Sequence, residues 1–466
     1  MSERRGWQIE NFLETRDGRL TIDGIDATKL AREHGTPLFV FSERRIRHNI
    51  DRLQKISDVI PLPLKICYAA KAMSTMGILR AVKDAGIDIE VNSGGELWKA
   101  LKAGFIGDHI IFNGTSKEVW EIEMAIENVI YAIQVDSLYE LSLIEETANR
   151  LGKKASVSLR LVPEIESGTH SGLQTALLTS KFGMMPDEAV EAFKKYKDSL
   201  HLNLSGIHLH VGSQNPDPKV YAEALDALFG ELTRIAETGV QLGHVNVGGG
   251  FPVDYLNDGV ANLPRGETEV LGADYSPSTA FRAAWDTVSK KYPSDLSRGI
   301  TILVEPGRSI IADAGLCLTT VRNTKQRLVA ASTDNRQPTT DNWLLTDAGF
   351  NILLSMETYK WYYHLISADR TDEDHNFAYK LAGPLCDGGD VYFDLEGERL
   401  PSHRLLPKDV EPGEVLALLN CGAYSLAQAS QYNGRGLPAV VLIRKDGTPV
   451  LIRRRDTFED LVGSDL

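Results

Sequence analysis

Between residues 64 and 305 the chain switches eight times between a short β-rich run and an amphipathic helical stretch. The runs are LKICYA (64–69), IDIEV (87–91), HIIF (109–112), IYAIQV (130–135), SVSLRLV (156–162), LSGIHLHV (204–211), HVNVG (244–248) and ITILVE (300–305). Stretches such as GGELWKALKAG, LYELSLIEETANRLG and YAEALDALFGELTRIAETG separate them. A strand followed by a helix returns to the same sheet as a parallel neighbour, so eight such units predict an α/β fold built on a (β/α)8 barrel. A doubly wound open sheet also alternates, but eight units in so short a span suit a closed barrel better.

With 466 residues the chain exceeds one simple core, and two domains are expected. Beyond residue 310 the texture changes: LTTVRNTKQR, NWLLTDAGF, EVLALLN, AVVLIRKDG and PVLIRRR read as antiparallel strands with turns such as KDGTP. The first 36 residues, with RLTIDG reading as a strand, precede the alternating pattern. The expected division is a barrel over 37–309 and a β-rich domain formed by 1–36 plus 310–466. The Gly/Pro/Asp-rich segment from 251 to about 278 reads as a loop near the barrel mouth.

Composition removes several function classes. A net charge of −14 leaves no basic excess to neutralise phosphates, which argues against nucleic acid or an anionic membrane as partner. No apolar run is long enough to span a bilayer, and MSERRGWQIENF has no apolar signal core. The four cysteines, Cys67, Cys317, Cys386 and Cys421, are far apart with no CxxC pair, which argues against a zinc site or a disulfide framework and for a reducing, cytoplasmic setting.

In barrels of this kind the chemistry sits at the carboxyl ends of the strands, and phosphate often binds after strands seven and eight. Strand seven runs into Gly248-Gly249-Gly250, and strand eight into Glu305-Pro306-Gly307-Arg308. Successive glycines let backbone N–H groups approach a phosphate. Arg308 offers a guanidinium fork for it, or a salt bridge to one of the many acidic residues. Lys71, in YAAKAM, follows strand one. Held in a partly apolar site its amine can form an imine, or it simply caps the strand. His208 and His210, at the end of strand six and sharing one face of it, read as metal ligands, as a ring stacker or as hydrogen-bonded core, with no carboxylate pair or cysteine cluster nearby to complete a metal site. Glu305 can pair with a protonated ring nitrogen. In the C-terminal part, Cys386 in GPLCDGGD is a proton donor or a packed small hydrophobe, and Tyr424 in GAY a phosphate donor or a packing aromatic. An amine, a ring stacker, a carboxylate and a phosphate cradle together are what pyridoxal 5′-phosphate (PLP) requires.

The motifs YAAKAM, VNSGGEL, SKFG, HLHVGSQ, NVGGGFP, VEPGRSIIADAG, TDAGFN, GPLCDGGD and GAYSLAQASQYN fall in order along nearly the whole chain. They resemble the fold type III PLP-dependent decarboxylases that act on diaminopimelate, ornithine and arginine. The resemblance implies an alanine-racemase-like barrel with a β domain, a PLP cofactor, and a homodimer with shared active sites. It implies that Lys71 is the Schiff-base lysine, that His210 stacks on the ring, and that Glu305 pairs with its nitrogen. Ser213, Gly248, Gly249, Gly250, Gly307, Arg308 and Tyr424 would bind the phosphate end, with Arg308 and Tyr424 also near substrate. Glu90, in place of the family's usual Asp, and Arg160 would support the ring. Cys386 would enter from the neighbouring subunit as proton donor, and Asp387 would recognise the substrate's distal amine.

The substrate reading turns on two departures. Diaminopimelate decarboxylases carry an Arg-Pro-x-Leu-Tyr segment after the DAGFN stretch, whose arginine grips a distal carboxylate; here residues 354–361 read LSMETYKW. Their Cys-Glu-Ser-Gly is Cys386-Asp387-Gly388-Gly389 here. The CDGGD loop, SLYEL and LIRRRDTFEDLV resemble the D-ornithine/D-lysine decarboxylases. The expectation is therefore a basic amino acid with a D-configured centre, D-lysine or D-ornithine, with meso-diaminopimelate or a siderophore or antibiotic pathway as alternatives. A racemase would need a second acid/base, normally a tyrosine, where CDGGD stands. A catalytically inactive regulatory homologue is disfavoured by intact Lys71, Glu305 and Cys386, and a phosphosugar-binding barrel leaves Lys71 and Glu305 unexplained.

Overall fold

The computed structural model describes residues 5–466 except 163, 164, 166, 167, 170–179, 258–262, 264, 293–298, 330–338 and 398. The chain divides into two compact units, Arg47–Val253 with Ala273–Ile310, and Met1–Ile46 with Asp254–Gly272 and Ile311–Leu466.

The first unit is a closed eight-stranded barrel. Its strands, in chain order and all parallel, are Leu64–Ala69, Asp88–Val91, Ile110–Phe112, Ala132–Val135, Ala155–Arg160, Leu202–His208, His244–Asn246 and Thr301–Val304. The last closes on the first with Ile302 opposite Leu64 and Val304 opposite Ile66. These are the eight runs read from the sequence, with ends shifted by up to three residues. The sixth strand ends at His208, so His210 stands in the loop beyond it rather than on the strand. Cys67, Ile111, Ala132 and Leu303 pack together in the barrel wall.

Local chemistry sets the intervening helices. Gly94–Ala103 begins at Ser93, whose hydroxyl accepts from Glu96 N–H, and ends at Gly104 in the left-handed region. It buries Leu97, Ala100 and Ala103, each buried leucine contributing about 2 kcal/mol. The first glycine of VNSGGEL has a packing role: a Cβ on Gly94 would stand 2.4 Å from the Trp120 ring. Leu138–Arg150 repeats the device with Ser137 as cap, and Val220–Ala236 buries Leu225, Leu228 and Leu232 on one face.

The second unit is β-rich. A three-stranded antiparallel sheet (Leu13–Arg16, Arg19–Ile22, Ile25–Asp26) opens the chain. A larger sheet runs Arg404–Leu406, Phe377–Ala382, Thr339–Thr346, Gly315–Val329, Leu38–Ser42, Ala439–Ile443, Pro449–Arg453, with Val415–Leu418 bridging Gly315–Val329 to Leu365–Ser367. It is mixed rather than purely antiparallel: Leu38–Ser42 runs parallel to Ala439–Ile443, and Thr339–Thr346 parallel to Phe377–Ala382. Leu38, Val40, Leu316, Leu318, Val441 and Ile443 share one core with Trp7, Phe12, Leu20 and Ile22.

Two boundaries differ from the sequence reading. Residues 37–46 were expected in the barrel, but Leu38–Ser42, buried throughout, pairs with Gly315–Val329 and Ala439–Ile443. A buried apolar run carries no mark of which sheet will take it. The segment expected as a loop at the barrel mouth instead contributes Asp254–Gly272 to the β-rich unit. Its residues 258–262 and 264 lie outside the described residues. It includes the helix Arg265–Leu271 and is held by Asn420 Nδ2 donating to Asp254 O (2.7 Å) and by Tyr255 set edge-on to Trp361.

Candidate active site

The carboxyl ends of the barrel strands carry a polar layer where most such interiors are aliphatic. Lys71 sits in the short turn Ala70–Ala72 directly after the first strand. That turn is held because Ala69 N–H donates to Pro306 O (3.0 Å). Gly307 presses against it, and a Cβ there would meet the Ala72 and Ala69 methyls at 3.0 and 3.1 Å. Small residues in YAAKA and EPGR thus let the ends of strands one and eight meet, and they place Gly307 as a packing element behind Lys71.

Lys71 Nζ donates to Glu90 Oε2 (3.1 Å) and, at 3.5 Å, to Asn92 Oδ1. Glu90 is fully buried, Glu305 nearly so. One amide joins them: Asn113 Nδ2 donates to Glu90 Oε1 (2.7 Å) and to Glu305 Oε2 (3.0 Å). The other Glu305 oxygen accepts from Asn246 Nδ2 (2.7 Å), whose Oδ1 accepts from Gly248 N–H (2.9 Å). Burial, and next the Glu90 carboxylate, push the Glu305 carboxyl up to about 7, against the Lys71 charge and the two amides, which pull it down.

His208 Nε2 lies 3.6 Å from Glu305 Oε2, and neither ring nitrogen of His208 has a hydrogen-bond partner among the described residues. Burial, then the Arg160 charge, holds this imidazole well below its ordinary range, so it is neutral. Burial and the Lys71 charge do the same to His210. His210 Nδ1 accepts from Gly249 N–H (3.2 Å), which places the proton of the neutral ring on Nε2. Arg160 packs its guanidinium over the Phe182 ring at 4.2 Å and faces Asp136 at 4.0 Å, while Gly183 N–H donates to Asp136 (2.9 Å). The SKFG motif therefore props Arg160.

The glycine triplet admits no side chain. A Cβ on Gly248 would stand 2.4 Å from His210 Nδ1, on Gly249 2.3 Å from Glu305 O, and on Gly250 2.4 Å from Asn215 Nδ2. Gly248 and Gly250 also adopt φ of +69° and +98°, which other residues resist. Arg308 Nε donates to Ser213 Oγ (3.2 Å), which brings together a cation and a hydroxyl from two of the loops named above.

The donor set matches PLP group by group: an amine for its aldehyde, a carboxylate for its ring nitrogen, and a guanidinium, a hydroxyl and a glycine wall for its phosphate. The unpartnered nitrogens of His208 and the unpartnered Asn113 Oδ1 mark a layer made for a polar guest rather than a satisfied core. Among the described residues no group of three or more His, Cys, Asp or Glu is placed to hold a metal ion.

The remaining candidates belong to the β-rich unit. Asp390, buried, organises GPLCDGGD by accepting from Phe350 N–H (2.9 Å) and Leu385 N–H (2.8 Å). Gly383 leaves room for it, since a Cβ there would stand 2.3 Å from Asp390 Oδ2. The Cys386 thiol is exposed, and Cys386 N–H donates to Asn433 Oδ1 (2.6 Å). Asp387 accepts from Tyr432 OH (3.1 Å) and Gly389 N–H (2.9 Å). Glu357, ion-paired to Lys360 at 2.9 Å, approaches Gly389. Tyr424 adopts a φ of +56°, a strained conformation, and two residues earlier a Cβ on Gly422 would stand 1.8 Å from Ile311 O.

Sequence reading passed over Asn113, Asn246 and Asp136. The signal was present: each follows or ends a barrel strand, the position where this fold concentrates its chemistry. Asparagine lacks the titration that draws attention to Lys, His and Glu.

Residues 44–312 match the family model of the pyridoxal-dependent decarboxylase pyridoxal-binding domain. The diaminopimelate decarboxylase of Methanocaldococcus jannaschii is 34% identical over 97% of this chain and 96% of its own length. That of Bacillus subtilis is 32% identical over 97% and 96%. The crystal structure of the M. jannaschii enzyme in complex with L-lysine superposes with a TM-score of 0.84 at 33% identity, covering 99% of both chains. A lysine/ornithine decarboxylase from Vibrio vulnificus, 21% identical with a TM-score of 0.68, shares the fold. These relatives overturn the expectation of D-lysine or D-ornithine as substrate and favour diaminopimelate. The missing arginine in 354–361 had weighed against it, but one segment's departure is outweighed by likeness along the full length.

Proposed function

From the premise that the chain belongs to the pyridoxal-dependent decarboxylase family, we propose that it decarboxylates meso-diaminopimelate to L-lysine. The observation that carries this reading is full-length likeness, at 30–34% identity, to diaminopimelate decarboxylases of bacteria and archaea. PLP, when bound, supplies an electron sink for the pair left behind as carbon dioxide departs.

The chain's own groups do the rest. Lys71 is the amine that holds the cofactor's aldehyde carbon, and Glu90 receives its charge at 3.1 Å. Glu305 would accept the ring N–H and favour the positive ring. His210, fixed by Gly249 N–H, would stack on the ring, and Arg160, packed on Phe182, would support it. Ser213, Arg308, Gly250 and Tyr424 would hold the phosphate, with Gly248 and Gly249, whose N–H groups donate to Asn246 Oδ1 and His210 Nδ1, forming the wall beside it. Cys386, exposed and fixed through its backbone by Asn433, would be the proton donor to the carbon that gives up the carboxylate. This thiol acts in the site of a second subunit of a homodimer working in the cytoplasm. The distal end of diaminopimelate carries an ammonium and a carboxylate. Asp387, in the Cys386 loop, and Glu357, which approaches Gly389 of that loop, suit the first, and Lys360, paired to Glu357, the second.

The test is carbon dioxide and lysine release from the PLP-loaded enzyme. The substrates meso-diaminopimelate, D- and L-lysine, D- and L-ornithine and L-arginine are offered in parallel. Turnover of meso-diaminopimelate with L-lysine as product is expected. Turnover of a diamino acid without a distal carboxylate, with meso-diaminopimelate untouched, would refute the reading.

A further inference from the structure

We propose that Asn113 is a positioning residue that acts through Glu305: its amide, shared between two buried carboxylates, keeps Glu305 ionised and aimed so that the PLP ring nitrogen can be held. The inference rests on the assignment of Glu305 to that nitrogen and goes beyond it.

The geometry is specific. Glu90 and Glu305 are buried like charges near enough for one NH2 group to donate to both, at 2.7 and 3.0 Å. Two carboxylates so placed repel, and one of them is driven towards the neutral form. A neutral Glu305 is useless to a pyridinium, because its own proton competes for the bond. Asn113 opposes this by giving one hydrogen to each carboxylate. With both carboxylates ionised only Nδ2 can face them, which sets the orientation of the amide. Its Oδ1 is buried without a hydrogen-bond partner among the described residues. An asparagine kept for general packing would satisfy both ends; here one end is sacrificed to serve the other.

Asn246 completes the clamp from the opposite side. It donates to the second Glu305 oxygen and accepts from Gly248 N–H, which ties the ring-nitrogen carboxylate to the first glycine of the phosphate wall. The other charged or titratable groups bearing on Glu305 are Glu90 and Lys71. Arg160, His208 and the buried Cys67 thiol also bear on it.

The experiment measures PLP affinity for the enzyme stripped of cofactor across a range of pH, without substrate. Wild type, Asn113→Ala, Asn113→Asp, Glu305→Gln and the Asn113→Ala/Glu305→Gln double variant are compared. In Asn113→Ala the acidic limb of PLP binding is expected to move up by about one pH unit, the size of one hydrogen bond to a charged group, with affinity on the limb falling about tenfold. Asn113→Asp keeps the shape, replaces the donor with a third carboxylate, and shifts the limb further; it also serves if the alanine variant fails to fold. In the Glu305→Gln background the limb is absent and Asn113→Ala no longer moves it. An unmoved limb in both folded Asn113 variants overturns the proposal. So does an equal shift in the Glu305→Gln background, and so does a Glu305→Gln enzyme that binds PLP as wild type does. Because no substrate is present, failure of the diaminopimelate reading leaves these outcomes unchanged.

Discussion

Replacing Glu305 by glutamine should make the cofactor-free protein more stable at neutral pH while weakening its hold on PLP. The magnitude follows from the carboxyl's environment. Burial and Glu90 raise Glu305 from an ordinary 4.5 to about 7. At 1.36 kcal/mol for each pH unit, that penalises the ionised form by about 3 kcal/mol. The sign follows from proton linkage. Between 4.5 and about 7 the folded state retains a proton that the unfolded state has released, so stability falls as pH rises through that window and is flat above it. Below 4.5 both states are protonated and the penalty vanishes. Glutamine has no proton to lose, so Glu305→Gln should gain on wild type progressively from pH 4.5 to 7, by about 3 kcal/mol in all. The assay is urea unfolding of the cofactor-free proteins at matched pH values, read as the difference between them. A Glu90→Gln control removes the like charge and should shrink the pH dependence. A difference that is constant from pH 4.5 to 8 would refute the reasoning, since it would mean that Glu305 titrates alike folded and unfolded.

Three further outcomes are expected. Lys71→Ala should abolish turnover and the covalent hold on PLP, seen as loss of the bound cofactor's visible absorbance after denaturation; full activity would sink the mechanism. Cys386→Ala should slow product formation or scramble deuterium incorporation at the decarboxylated carbon when the reaction runs in heavy water; unchanged kinetics and stereochemistry would remove the thiol from its role. Gly249→Ala drives a methyl to 2.3 Å from the Glu305 carbonyl oxygen, a backbone atom that cannot swing aside. It should lower the unfolding free energy by about 1–3 kcal/mol and weaken PLP binding, measured by urea unfolding and cofactor titration.

The candidate cofactor residues could be picked out in the chain because local patterns mark them. A lysine after an apolar strand, a glycine triplet after the seventh and a glutamate after the eighth are read by position alone. The reading of the substrate failed for the opposite reason. It weighed the residues at 354–361 one at a time, where the missing arginine is conspicuous, and gave less weight to likeness spread over the full length. The asparagines escaped because their importance lies in whom they touch: Asn113 matters only once Glu90 and Glu305 stand on either side of its amide.

By itself the sequence determined the barrel, its strand order and the residues at the strand ends. Strand and helix periodicity is a local property, and a right-handed strand–helix–strand unit leaves the next strand little choice of neighbour. Only the tertiary structure decided the rest. LFVFS, buried throughout, was claimed by the β-rich sheet, where Gly315–Val329 and Ala439–Ile443 offered it backbone partners on both sides. Asp254–Gly272 left the barrel for the same unit. The raised pKa of Glu305 depends on burial and on a carboxylate from the second strand. Each of these depends on which distant residues meet and how much water remains between them, and hydrophobic packing and electrostatics act through space rather than along the chain.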